Sequence, residues 1–142
     1  MPSPHDLPAP GPAAPTPPIA LRDGGAGATA HLGGTVIPVP DGVAAALSEI
    51  CPTTLEGDLL GEASRDWWPQ AMIWALDGEV AAKAAAVVSP TSADQVARVL
   101  AVCDAARVPV TAAAGRSGVC GASVPVHGGV VLDLCGLTGI VE

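Results

Sequence analysis

The sequence predicts an α+β fold with an α/β start: a βαβ unit plus further strands, helices on one face of a small mixed sheet, and a disordered N-terminal leader. Three observations predict it. AAAVVSP (84–90) is a short β-branched run closed by a proline. SADQVARVLAVCDA (92–105) carries apolar residues at helical spacing. VPVTA (108–112) and VVLDL (130–134) are further apolar runs bounded by turn residues.

The leader comes first. Residues 1–35 are mostly proline, alanine and glycine. They lack the large apolar side chains that offset ordering entropy, so the segment is expected to stay disordered. No basic residues flank its prolines as a docking peptide would need. Order is expected from Val36. Asp41 is placed to cap a short helix over 43–50, which Pro52 stops. Residues 36–83 form a pre-domain segment. It holds all three tryptophans, Trp67, Trp68 and Trp74, and the chain has no Phe or Tyr, so they are expected to pack this segment onto the domain.

The third segment, 84–142, is the most regular. Ser92 and Gln95 form an S-x-x-Q capping box. Val96, Val99, Leu100 and Cys103 recur at i, i+3, i+4 and i+7 on the helix that follows. A strand, a helix and a strand in succession give a parallel βαβ unit.

Composition limits function. The 142 residues carry a net charge of −8 from 14 acids against 6 Lys and Arg. No basic face can be assembled, which argues against nucleic acid and anionic membranes as partners. Cys51, Cys103, Cys120 and Cys135 form no C-x-x-C and do not pair with His5, His31 or His127 at ligand spacing, so reduced thiols are expected and no metal. With no signal pattern and no run of about twenty apolar residues, the cytoplasm is the expected location.

GRSGVCGASVP (115–125) joins the second strand to the third with Gly115, Gly118 and Gly121 three residues apart. Glycines let backbone N–H groups approach a ligand, and successive N–H groups make an anion-binding concavity. Ser117 adds a hydroxyl. There is no G-K-S/T, and the spacing is not G-x-G-x-x-G. On the residues alone, a structural turn and a phosphate cradle both remain open.

From Arg65 onward the chain resembles the start of the FAD-binding domain of the FAD-linked oxidases, the vanillyl-alcohol-oxidase or PCMH-type family. That family includes D-lactate dehydrogenases, glycolate oxidase subunits and alkylglycerone-phosphate synthases. Pro90, Ser92, Val96, Pro109, Val110, Ser117, Gly118, Gly121, Pro125, Gly128, Gly129, Asp133, Leu134 and Ile140 fall on its pattern. RDWWP (65–69) is similar to a segment of the alkylglycerone-phosphate-synthase-like branch.

The resemblance implies the first half of a PCMH-type FAD-binding domain. Ala113, Ala114, Gly115, Arg116, Ser117 and Gly118 would wrap the FAD pyrophosphate, with Gly121 in the same loop. Ser123, Val124 and Pro125 would lie toward the flavin. Arg116 stands where some members have a histidine bonded covalently to the flavin. Arginine cannot form that bond, so the resemblance implies non-covalent FAD. Arg116 would instead donate to a phosphate oxygen or pair with a carboxylate. Asp133 is expected to hold a neighbouring loop by hydrogen bonds.

The implied activity is that of a FAD-linked oxidase or dehydrogenase of a hydroxy acid or alcohol. The alternatives are a FAD-dependent alkyl transferase and a truncated, non-catalytic piece. Family members continue into a second FAD subdomain and a substrate cap. The chain alone is therefore expected to lack catalytic residues, and it is expected to self-associate or to meet a complementing chain through an unpaired strand.

Overall fold

The computed structural model describes Leu32 and residues 35–139. The expected leader lies outside the described residues apart from Leu32 and Thr35, as does Ile140. The elements run in the order α1 (Asp41–Ser48), β1 (Thr53–Thr54), α2 (Asp58–Ala63), α3 (Pro69–Leu76), β2 (Ala86–Val88), α4 (Ala93–Ala105), β3 (Val110–Ala113) and β4 (Val130–Asp133). A 3-10 turn, Leu134–Gly136, follows β4.

The four strands form one sheet in the order β1-β2-β4-β3. β2 pairs parallel with β4, Val87 opposite Val131, and β3 pairs parallel with β4, Thr111 opposite Val131. β1 lies antiparallel on the outer side of β2. The expected β–α–β unit is present as β2, α4 and β3, with β4 inserted between its two strands. Strand β1 was not legible, since two threonines carry no periodicity.

Alternation along the strands sends side chains to opposite faces, and both faces are covered. Ala86, Val88, Val130 and Leu132 pack with Leu47 and Ile50 of the α1 region and with Val99 and Cys103 of α4. Val87, Val131 and Ala113 pack with Leu60 and Ala63 of α2 and with Ala84. The expectation of helices on one face therefore fails. The DLLGEA turn before RDWWP is helical and covers the second face.

Local signals carry α4. Ser92 Oγ accepts from Gln95 N at 3.3 Å. The Gln95 side chain does not close the box on Ser92. Its Oε1 accepts from Thr91 N at 2.7 Å, and its Nε2 donates to Ile50 O at 2.9 Å, tying the start of α4 to the end of α1. Asp41 does not cap α1 either. Pro40 is the cap residue, and its carbonyl accepts from Val43 N and Ala44 N.

The turn into β4 depends on Gly129. Its φ is +64°, and a Cβ there would fall 2.2 Å from the Pro109 carbonyl oxygen. That same oxygen accepts from Val130 N at 2.9 Å, so the close approach sets the register of β3 against β4.

Candidate cofactor site

The glycine loop leaves the carboxyl end of β3, and Asp133 ends the neighbouring β4. Parallel sheets hold ligands beyond the carboxyl ends of their strands, where the connections change direction. Here β2 is linked through α4 to β3, and β4 then returns between them, so the loop sits at such a point.

RDWWP lies against this loop. Ser64 closes α2, fully buried, and its Oγ accepts from Ala84 N at 2.9 Å, fixing the segment to the approach of β2. Trp67 N donates to Gly118 O at 2.9 Å. Asp66 Oδ1 accepts from Trp68 N at 3.0 Å, which shapes the turn into α3 with Pro69 as its first residue. Trp68 packs over Gly121, where a Cβ would lie 3.1 Å from Cε3 of the indole and the backbone has φ +78°. Glycine is required there on both counts. Trp68 meets Trp74 edge to face at 5.5 Å, against Ala81, Ala82 and Val124. Two tryptophans thus pack the segment as expected. Trp67 does not: it is 54% exposed.

Glu62, Arg65, Asp66, Trp67, Gly115 and Arg116 line a cavity of about 150 Å³ between RDWWP and the loop. Its two acids and two arginines balance in charge. Arg65 is committed, with Nε and Nη2 both donating to Glu62 Oε2 at 3.1 and 2.7 Å. Arg116 is not. Its Nη1 is buried without a hydrogen-bond partner, 3.9 Å from Asp133 Oδ2, too far for a hydrogen bond. Asp133 spends Oδ1 on Cys135 N at 3.0 Å, capping the 3-10 turn. A side-chain hydrogen bond from the Cys135 thiol to the Asp133 carboxylate, then burial and the carboxylate's charge, push that thiol above its ordinary value, against the pull of Arg116. Arg116 also has φ +49°. A left-handed arginine is strained by roughly 1 kcal/mol or more and marks a conformation that the surroundings impose.

The residues predicted from sequence separate into two groups. Ala114, Gly115, Ser117 and Gly118 are exposed, and Arg116 is half-buried. Ala113, Val124 and Pro125 are buried in the fold, while Gly121 and Ser123 are half-buried. A Cβ on Gly115 would meet nothing within 4 Å, whereas one on Gly118 would face Asp66 Oδ2 at 3.5 Å. Sequence reasoning missed Glu62, Arg65, Asp66 and Trp67 as cavity residues. Their signal was a charged pair, Arg65 and Asp66, beside two tryptophans in a chain only 14% charged.

Exposed amides without Cβ atoms, next to an arginine N–H lacking an acceptor, suit a pyrophosphate. Among the described residues, no three His, Cys, Asp or Glu side chains are grouped to hold a metal. No helix is long and apolar enough to cross a membrane there. The four cysteines are free thiols.

Compared with known proteins, residues 84–142 match the model of the FAD binding domain family. Glycolate oxidase subunit GlcD of Bacillus subtilis (strain 168) is 33% identical over 57 residues, 40% of this chain and 12% of that protein. Among solved structures, alkyldihydroxyacetonephosphate synthase superposes with TM-scores of 0.57 and 0.63 in two crystal forms. The identities are 17% and 18%, over 63% and 72% of this chain. Substrate-bound p-cresol methylhydroxylase gives a TM-score of 0.56 at 23% identity over 76% of this chain. The chain spans 17 to 22% of those structures' lengths.

Proposed function

We propose, from the match of residues 84–142 to the FAD binding domain family model, that this chain is the FAD-binding portion of a FAD-linked oxidoreductase acting on a hydroxy acid or alcohol. The glycine loop, 113–121, holds the FAD pyrophosphate non-covalently. Gly115, Ser117 and Gly118 offer backbone N–H groups, Ser117 its hydroxyl, and Arg116 its guanidinium. Ala113, Val124 and Pro125 support the loop from beneath. Bound FAD supplies a two-electron acceptor, and the residues of this chain bind and orient it. The reading is carried by one observation: Arg116, strained and half-buried beside Gly115, keeps an N–H without an acceptor. The relative's name, glycolate oxidase subunit, supports the substrate class. The alkyl-transferase alternative uses the same loop and cofactor. Free thiols fit a reducing compartment, the cytoplasm. A second copy or complementing chain would add to the outer edge of β3.

The test is a titration of the full chain with FAD, FMN and riboflavin, read by flavin fluorescence, in wild type, Gly115→Val and Arg116→Ala. FAD is expected to bind ahead of riboflavin, and each variant to weaken FAD about tenfold or more. Gly115 is the better probe than Gly118, because its added side chain enters open space. Equal affinity for FAD and riboflavin, or no FAD binding by a folded chain, would overturn the reading.

A further inference from the structure

The cavity holds a second orphaned group that the pyrophosphate does not account for. Asp66 is 3% exposed, and its Oδ2 has no hydrogen-bond partner. Its other oxygen is committed to Trp68 N. Asp66 lines the same cavity as Arg116 and Gly115, and Oδ2 lies beside the Gly118 backbone. A buried carboxylate oxygen without a donor is costly, and it persists where a function needs it. Its charge repels phosphate. The group that completes it must therefore be a hydrogen-bond donor attached close to an anion. A sugar hydroxyl next to a phosphate has that chemistry, with the anion on Arg116 and the hydroxyl on Asp66.

Resting on the reading of the loop as a FAD site, we infer that Asp66 is a further cofactor-binding residue, whose Oδ2 accepts from a sugar hydroxyl adjoining the pyrophosphate. The RDWWP segment is then part of the binding site as well as its support. FAD has such hydroxyls on its ribityl chain and on its adenosine ribose. A bare phosphate satisfies only Arg116, and riboflavin, with ribityl hydroxyls and no phosphate, satisfies only Asp66.

Asp66→Asn and Asp66→Ser keep an acceptor for Trp68 N and remove the second carboxylate oxygen. Each is titrated as the full chain with FAD, FMN and ADP, and each is melted without ligand. The expected result is a FAD affinity lower by about tenfold or more, with the ligand-free melting temperature unchanged or raised, because a buried carboxylate oxygen without a donor has gone. A matching loss for FMN assigns the ribityl hydroxyl, and a matching loss for ADP assigns the ribose. Unchanged FAD affinity in either folded variant overturns the inference and leaves the loop's role intact. A joint fall in melting temperature and affinity also overturns it, making Asp66 only a turn residue. Wild-type chain that binds no FAD overturns the underlying reading instead.

Discussion

The sheet and the loop are built on opposite rules. In β2 and β4, Val88, Val130 and Val131 have no exposed surface, and the two strands are paired in the ladder. Between β3 and β4, residues 114–118 are largely exposed and carry a left-handed arginine, Arg116, whose buried Nη1 has no hydrogen-bond partner, and Asp66 Oδ2 beside them has none either. Packing accounts for the first region completely. It leaves the second with unmet hydrogen bonds, and these are what a ligand can satisfy. Substitutions should therefore separate: stability falls with changes to the sheet, and binding falls with changes to the loop.

The largest effect should come from Gly129→Ala. A Cβ 2.2 Å from the Pro109 oxygen forces the backbone apart at the β3–β4 register. A loss of about 3 kcal/mol or more is expected, read by urea denaturation. Leu47→Ala follows. Leu47 is fully buried where α1 meets the sheet, and a loss of about 2 to 5 kcal/mol is expected in the same measurement. An effect below about 1 kcal/mol would mean that the α1 contact is not part of the core.

Gly121→Ala tests the boundary between the two regions. Its φ of +78° and the indole at 3.1 Å should together remove about 1 to 2 kcal/mol. Trp68 must give way, so tryptophan emission should shift as well. Gly115→Val, a few residues earlier, should leave stability within about 0.5 kcal/mol while weakening FAD. If Gly115→Val destabilised as much as Gly121→Ala, the contrast between scaffold and site would fail within the loop itself.

The same contrast explains what the sequence made legible. Strands β2 and β4, helix α4 and the glycine loop are local features, written in β-branched runs, a capped 3.6-residue period and three spaced glycines. The cavity joins residues about fifty positions apart, Asp66 to Arg116, and no periodicity encodes that meeting. The second covered face was hidden for a similar reason. DLLGEA is only six residues long, and its partner face on the sheet exists only once β4 lies between β2 and β3. Arg116 was readable as an anion donor or a carboxylate partner. The 3.9 Å gap to Asp133 is a tertiary fact, and it is that gap that leaves the donor available.

The smallest expected effect concerns the thiols, which divide along the same line. Cys51 and Cys103 lie in the sheet core, and burial pushes both above the ordinary value of 9.0. The folded state therefore holds these protons more tightly than the unfolded chain does. Their contribution is fully present below pH 9 and is lost as pH rises from the unfolded value through the folded one. Denaturation midpoints should decline above pH 9, and Cys51→Ala combined with Cys103→Ala should flatten that decline. Cys120 and Cys135 are exposed beside the loop. Under native conditions at pH 7.5, iodoacetamide should modify Cys120 first. Cys135 should lag, because the Asp133 carboxylate favours its neutral thiol, and the two core cysteines should react only on unfolding. Asp133→Asn should bring Cys135 closer to the rate of Cys120. If it leaves that rate unchanged, Asp133 does not hold the Cys135 proton.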